Sequence, residues 1–436
     1  MLALALGTIG ASVSIAASGN LSSRGCLEDT GGPEDCTRSS LGLAGATAIE
    51  VSQDGKDAYL VGSEDDAVVH LRRNLRTGAL SAVECIDDEA PSGPDACARS
   101  VDGLEQAVDL AISRNGRHVY TIAYAESTLL HFQRNQRTGR LQLKHCLDDA
   151  DLAVVDDVCP GGAEGLQGPS ELALSRDGDS LYVASQLDEA LVTFRLNRRG
   201  KPLYRNCFED DDKFLADDCP RDREALADAG DVAVAPDGRS VYVTSFTDDA
   251  VGHFGRNPRT GLLGYRGCVE NRSPDGADEC DLSAHGLLEP GSVGLSPDGR
   301  FLYTGAVNQG AMAQFKLGRR GQPQPRGCVE QPFSSALCAT TAQGIGRAAD
   351  FIFDAKGRSL YVAGGRGIQP FKREPGSGSL TELPCIEDDD LPPIGTSCAR
   401  TAPGLTGAFS AAISPDDRWL YVAASADDTV SVFRRR

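Results

Sequence analysis

Apolar and polar positions along this chain recur as one pattern. An apolar stretch such as Leu166-Gln-Gly-Pro-Ser-Glu171-Leu-Ala-Leu-Ser175 leads to a turn such as Pro236-Asp-Gly-Arg239 and an aromatic run such as Val241-Tyr-Val-Thr-Ser245. The alternation and the turn residues predict two hairpin strands. An acidic turn (Thr247-Asp-Asp249), a third run ending in Phe254, a basic turn (Arg256-Asn-Pro-Arg-Thr-Gly261) and a fourth run into Cys268 complete the unit. The first cysteine of each unit falls at 26, 85, 146, 207, 268, 328 and 385, a period of 57 to 61 residues, so there are seven units. Four short strands per unit make a propeller blade. The predicted fold is an all-β, seven-bladed β-propeller with four antiparallel strands per blade.

The ends support a ring over an open solenoid. The last unit runs through Leu405, Tyr421 and Val430 to Phe433 and has three strands, whereas Leu21-Ser-Ser-Arg-Gly-Cys26 matches the fourth strand of another unit, Leu263-Gly-Tyr-Arg-Gly-Cys268. The N-terminal strand is therefore predicted to complete the last blade, which removes the sheet edges an open array leaves exposed. Residues 1–18, an uncharged apolar run closing on small residues, read as a signal peptide or its hydrophobic segment, with a retained membrane anchor as the alternative. Residues 19–436 read as a single propeller domain with no membrane span in the mature form.

Composition narrows the partners. The chain has 43 Lys and Arg against 63 Asp and Glu, a formal charge of −20, which argues against nucleic acid or an anionic membrane surface. Its 14 cysteines fall into seven local pairs, and the repeat symmetry predicts the disulfides Cys26–Cys36, Cys85–Cys97, Cys146–Cys159, Cys207–Cys219, Cys268–Cys280, Cys328–Cys338 and Cys385–Cys398. Zinc is the competing use of these cysteines. It is disfavoured because no pair has C-x-x-C spacing and no repeating His completes a site. Seven disulfides imply a secreted, oxidising compartment.

Between the paired cysteines lie 28 acidic residues against two basic ones, Lys213 and Arg272. The turns Glu64-Asp-Asp66, Asp188-Glu189, Asp248-Asp249 and Asp427-Asp428 fall on the same face. The opposite face is expected to collect Arg72, Arg73, Arg76, Arg134, Arg137, Arg198, Arg199, Arg256, Arg259, Arg319 and Arg320, giving an electrically two-faced molecule. Oxygen-rich runs such as Glu209-Asp-Asp-Asp212 and Glu387-Asp-Asp-Asp390 suit calcium or another divalent cation. A solvated fringe that keeps the protein soluble is the plainer reading.

A sharper candidate appears when the inner strands are aligned on L-x-x-[AP]-x-Z. Position Z holds Ala48, Asp109, Glu171, Asp231, Ser292, Asp350 and Ser410. Inner strands line a propeller's channel and their first residues sit at its mouth on the acidic face, so Asp109, Glu171, Asp231 and Asp350 are expected to converge at that mouth as a metal site with raised pKa values. Alternatively they satisfy backbone donors where a loop meets a strand. His70, His131 and His253 share one register and read as packing or hydrogen-bonding residues; His118, His145 and His285 share none. No G-x-S-x-G, H-E-x-x-H, P-loop or dinucleotide fingerprint is present. Asn20-Leu-Ser22 and Asn271-Arg-Ser273 are glycosylation sequons.

The stretches Ser296-Pro-Asp-Gly-Arg300 with Leu302-Tyr303, and Ser414-Pro-Asp-Asp-Arg418 with Leu420-Tyr-Val422, followed by V-x-x-F and R-N-x-R-T-G, resemble the YVTN-type repeat and the lactonase-like propellers related to 6-phosphogluconolactonase. The resemblance covers residues 20–436 and implies the propeller fold. Members of that family commonly carry a Pro-Arg-His type segment at the inner-strand entrance. Here the stretches read Ala107-Val-Asp109, Pro169-Ser-Glu171, Ala229-Gly-Asp231, Pro290-Gly-Ser292 and Ala348-Ala-Asp350, with no His. No catalytic residue carries over. The expectation is a monomeric, secreted, non-enzymatic binding or scaffold protein whose acidic face takes a cation or a basic partner, protein or polysaccharide. The rival is a lactonase-like hydrolase with a divalent metal at the channel mouth. Phe208, Phe214, Phe246 and Phe333 are the aromatics expected on the acidic face.

Overall fold

A computed structural model describes residues 19–34, 36–89, 97–150, 159–210, 219, 223–272, 280–332, 334, 337–390 and 398–436. The described residues form seven small sheets and no helix. Six of the sheets order their strands by sequence from the channel outward, as in Ala46–Val51, Asp57–Gly62, Ala67–Arg73 and Leu80–Asp87. Leu21–Asp29 pairs antiparallel with Thr429–Arg435, placing Cys26 opposite Ser431, so the N-terminal strand closes the ring as the repeat demands. Five blades add a short fifth strand parallel to the outer one, for example Leu282–Ala284 beside Leu263–Asn271. A run of two or three residues after a cysteine loop is too short to show alternation, so the sequence pattern does not predict it. All seven disulfides pair as the symmetry predicts, and none of the cysteines is free.

The second strand of every blade is buried along its full length, as in Ser240–Ser245. A strand covered on both faces by neighbouring blades has no polar side, so its sequence shows a continuous apolar and aromatic run. The hydrophobic clusters accordingly straddle blades: Ala111, Tyr120 and Ile122 of one pack with Leu172, Val183 and Phe194 of the next. In the S-P-D-G-R turn, Ser296 Oγ donates to Asp298 Oδ1 at 2.6 Å and accepts the Phe301 N–H at 3.0 Å. The turn glycine takes a left-handed φ, +64° at Gly299, which Asp417 matches at +60° in the last blade.

The tyrosine of the second strand ties blade to blade. Tyr182 Oη donates to the Gly261 carbonyl at 2.6 Å and accepts from Arg256 Nε at 2.7 Å, both on the next blade. Arg73, Arg134, Arg373 and Arg435 make the same contact with Tyr421, Tyr59, Tyr303 and Tyr361. Arg73, Arg134 and Arg256, expected on an exposed basic face, are thus 3–4% exposed and form interior clamps. A guanidinium tolerates this position because its fork meets several acceptors at once.

Candidate functional site: a carboxylate ring in the channel

Six inner strands are entered through a Leu-x-x segment and the sixth blade's through Ile345-Gly346-Arg347, and the successive N–H groups there need acceptors outside the sheet. In the first blade, Leu43, Ala44 and Gly45 donate to Asp29, Asp65 and Asp428 at 2.9, 3.0 and 2.7 Å. In the second, Leu104, Glu105 and Gln106 donate to Asp88, Glu126 and Asp66 at 2.9, 3.0 and 2.7 Å. The acceptors come in turn from the cysteine loop behind, the blade's own turn and the preceding blade's turn. A second carboxylate in each of several loops takes the N–H of the closing cysteine, as Asp87 does for Cys97 at 2.7 Å. These acids are therefore structural acceptors, and the expectation of a freely solvated or cation-collecting fringe is corrected for them. Asp29, Asp88, Asp149 and Asp210 are all buried.

The ring of position Z sits one step deeper. Asp109, Glu171, Asp231 and Asp350 all line one upper channel cavity of about 460 Å³ together with Phe246, Phe409 and Arg347. Asp109, Glu171 and Asp350 also line the lower cavity, so they mark the waist of the channel and not its rim. Three of the four accept the backbone N–H that follows position Z on the next blade: Leu172 to Asp109 at 3.0 Å, Val293 to Asp231 at 2.6 Å and Ala411 to Asp350 at 2.9 Å. Inner strands are sheet edges, and here each carboxylate caps its neighbour's edge while remaining on the lumen. Ser292 Oγ instead donates to the Ala348 carbonyl at 2.6 Å, again across blades.

Glu50, two residues past Ala48, was missed by the alignment. It accepts the Ile112 N–H at 3.0 Å and lines the lower cavity with Arg114 and Arg176. The signal was available: the other blades carry Ala111, Ala173, Ala233, Gly294, Ile352 and Ala412 in this register. Burial raises all five carboxyls. Asp109 and Asp350 are pushed up to about 6 and Glu50 and Asp231 up to about 8. Glu171 lies well above the ordinary carboxylate range, through burial, then the charges of Asp109 and Asp231, and through a hydrogen bond shared with Asp109. Burial and mutual repulsion thus favour the protonated forms, most strongly at Glu171, whose carboxyl shares a hydrogen bond with Asp109.

Among the described residues, two carboxylate triplets have oxygens within 4.8 Å of one another: Glu34, Asp388 and Asp427, and Asp88, Asp102 and Glu126. Neither lies in the channel. Four of these acids already cap the N–H groups of Leu405, Thr406, Leu104 and Glu105. Two of the histidines in the shared register are packing residues: His131 is pushed down to about 3 and His253 to about 4 by burial, and their rings stack on Tyr120 and Tyr242 at 5.0 Å. Phe208, expected on the acidic face, is buried against Phe254, while the exposed aromatic at the mouth is Phe409. Residues 1–18, Asp211, Asp212, Lys213, Phe214, Ser273 and Phe333 lie outside the described residues.

With fold and site described, the class is defined: a disulfide-stapled seven-bladed β-propeller of the architecture found in lactonase-like proteins. No protein-family model and no curated protein sequence matches the chain. Among solved structures it is similar to a candidate 6-phosphogluconolactonase from Bacteroides uniformis (TM-score 0.55, 18% identity, covering 77% of this chain and 83% of that one). A periplasmic gluconolactonase of Pseudomonas aeruginosa gives a TM-score of 0.55 at 16% identity, over 82% of this chain and 88% of that one. A Desulfotomaculum acetoxidans protein of unknown function gives 0.58 at 12%, over 86% and 91%. These likenesses establish the fold. Seven disulfides fit an oxidising, extracytoplasmic environment. No helix among the described residues is long and apolar enough to cross a membrane.

Proposed function

We propose that this chain is a secreted binding protein whose upper channel takes a small organic cation. The observation that carries this reading is the ring of four carboxylates around one cavity of about 460 Å³, a size that suits a small molecule. Phe246, Phe409 and Val307, which line the same cavity, offer apolar and cation–π contact to an alkylammonium group. A bare ion such as calcium gathers six to eight oxygens at roughly 2.3–2.6 Å. Among the described residues no three ring carboxylates bring their oxygens within 4.8 Å of one another, which makes calcium the less supported occupant.

Titration calorimetry with hexylammonium and the neutral control 1-hexanol tests the reading. Wild-type protein is expected to bind the ammonium and not the alcohol. The double variant Asp109→Asn with Asp231→Asn, which keeps an acceptor for each capped N–H but can offer neither carboxylate to a bound cation, should weaken the ammonium at least about tenfold, roughly one lost charge contact. Equal affinity in the variant, or calcium binding tighter than the amine and lost in the same variant, overturns it. A second reading, hydrolysis of a sugar lactone, is supported by the proton shared between Asp109 and Glu171, which can serve as acid and base. Turnover of glucono-1,5-lactone lost in Glu171→Gln would favour it.

A further inference from the structure

One blade breaks the pattern of the acidic face. In six blades four residues join the second and third strands, as Ser63 to Asp66 do between Asp57–Gly62 and Ala67–Arg73. Between Ser359–Gly364 and Gly367–Arg373 there are only Gly365 and Arg366, and Gly364 pairs directly with Gly367. The missing acidic turn leaves a notch of about 520 Å³ floored by glycine backbone and lined by Gln309, Gln331, Gln343, Arg347, Arg366 and Glu387. The cysteine loop bordering it, 328–338, holds a single acidic residue, Glu330, the fewest of the seven. Gln309 Oε1 is buried there without a hydrogen-bond partner.

The notch opens into the channel mouth: Val307, Arg347, Gly365 and Gly407 line both cavities. Arg347 is the one basic side chain lining the upper channel cavity, and it is exposed. It occupies the third position of the segment that enters the inner strand, where other blades carry Gly45, Gln106, Gly168, Asp228, Glu289 and Gly407. The preceding blade's turn offers it only Gly310, where its counterparts Asp66, Asp249 and Asp428 reach the next blade as acceptors. An exposed guanidinium therefore stands on the ridge between a carboxylate ring and an amide-lined notch, presenting a planar fork to any carboxylate there.

We infer that the notch and Arg347 form a second subsite, contiguous with the channel ring, so that the two together take a zwitterion: ammonium end in the channel, carboxylate end on Arg347. This rests on the cation reading of the channel, and the test separates the two. The ω-amino acids from 4-aminobutanoate to 8-aminooctanoate are titrated beside alkylamines of matching length, in wild type and Arg347→Ala. One chain length is expected to bind at least about tenfold tighter than its amine, as one charge-assisted bidentate contact allows. The advantage should vanish in Arg347→Ala, where the amine itself binds as well or better because a like charge has gone. Amines that bind while no amino acid gains over them, or a gain that survives Arg347→Ala, overturn the subsite and leave the channel reading standing. No amine binding at all overturns the channel reading, and the subsite with it.

Discussion

Replacing Arg134 by alanine will destabilise the propeller by about 3–5 kcal/mol, the range for stripping a buried charge of its partner. Arg134 is 4% exposed and Asp57 1%. Its guanidinium pairs with Asp57, donates to Tyr59 Oη at 2.7 Å and to the Gly116 carbonyl at 3.0 Å, and so joins two blades through three acceptors. Burial alone would raise the Asp57 carboxyl; the bonds from His70 and Arg134 hold it below the ordinary range. Removing Arg134 leaves Asp57 with His70 and the half-exposed Arg72. Arg134→Lys should recover only part of the loss, since an ammonium cannot match the fork. The control is Arg137→Ala on the exposed turn, expected within about 0.5 kcal/mol of wild type. Denaturant unfolding that finds the two alanine variants alike would contradict the clamp.

Asp88→Ala is expected to cost about 2–4 kcal/mol, because Asp88 Oδ2 accepts both the Gly103 and Leu104 N–H groups, at 3.0 and 2.9 Å, and hydrogen bonds to a charged group are the stronger kind. Asp88→Asn keeps an acceptor and should restore more than half of it. Were the acidic face a solvated fringe, both substitutions would fall within about 0.5 kcal/mol of wild type. Thermal melts of the three proteins at one pH distinguish the alternatives, and they bear on the charge itself. An acid that caps a blade entrance is retained for the fold whatever the ligand.

How much was legible in the sequence follows from what repeats. Cysteine spacing, the S-P-D-G-R turn and the aromatic second strand recur in register, so seven blades, the closing N-terminal strand and seven local disulfides could be read without coordinates. The register also placed Asp109, Glu171, Asp231 and Asp350 in the channel, although it points to the mouth and the structure sets Asp109, Glu171 and Asp350 at the waist. Composition could not say which acids are solvated, because the Leu-x-x donors meet acceptors from two blades and a loop, and only the folded ring brings these together. The buried arginines were mistaken for a basic face, although Leu196 and Leu317 at the same position in two blades already point to an apolar setting. The notch was visible as the shortest repeat, 57 residues from Cys328 to Cys385, but a deletion says nothing about what it opens until its neighbours are placed.

Channel carboxyls that burial and mutual repulsion push upward must give up protons when they take a cation. Burial pushes Asp231 up to about 8 and Glu171 well above the ordinary carboxylate range, so these two hold their protons more firmly than Asp109 and Asp350, which are pushed up to about 6. A cation favours the ionised forms, so its affinity must rise with pH through this window, and its binding must release protons. The direct measurement is hexylammonium titration at pH 7 in two buffers of different ionisation enthalpy. Release of about one to two protons per ligand, with affinity climbing from pH 6 to 8, is the predicted result. Binding that releases none and is indifferent to pH would contradict it.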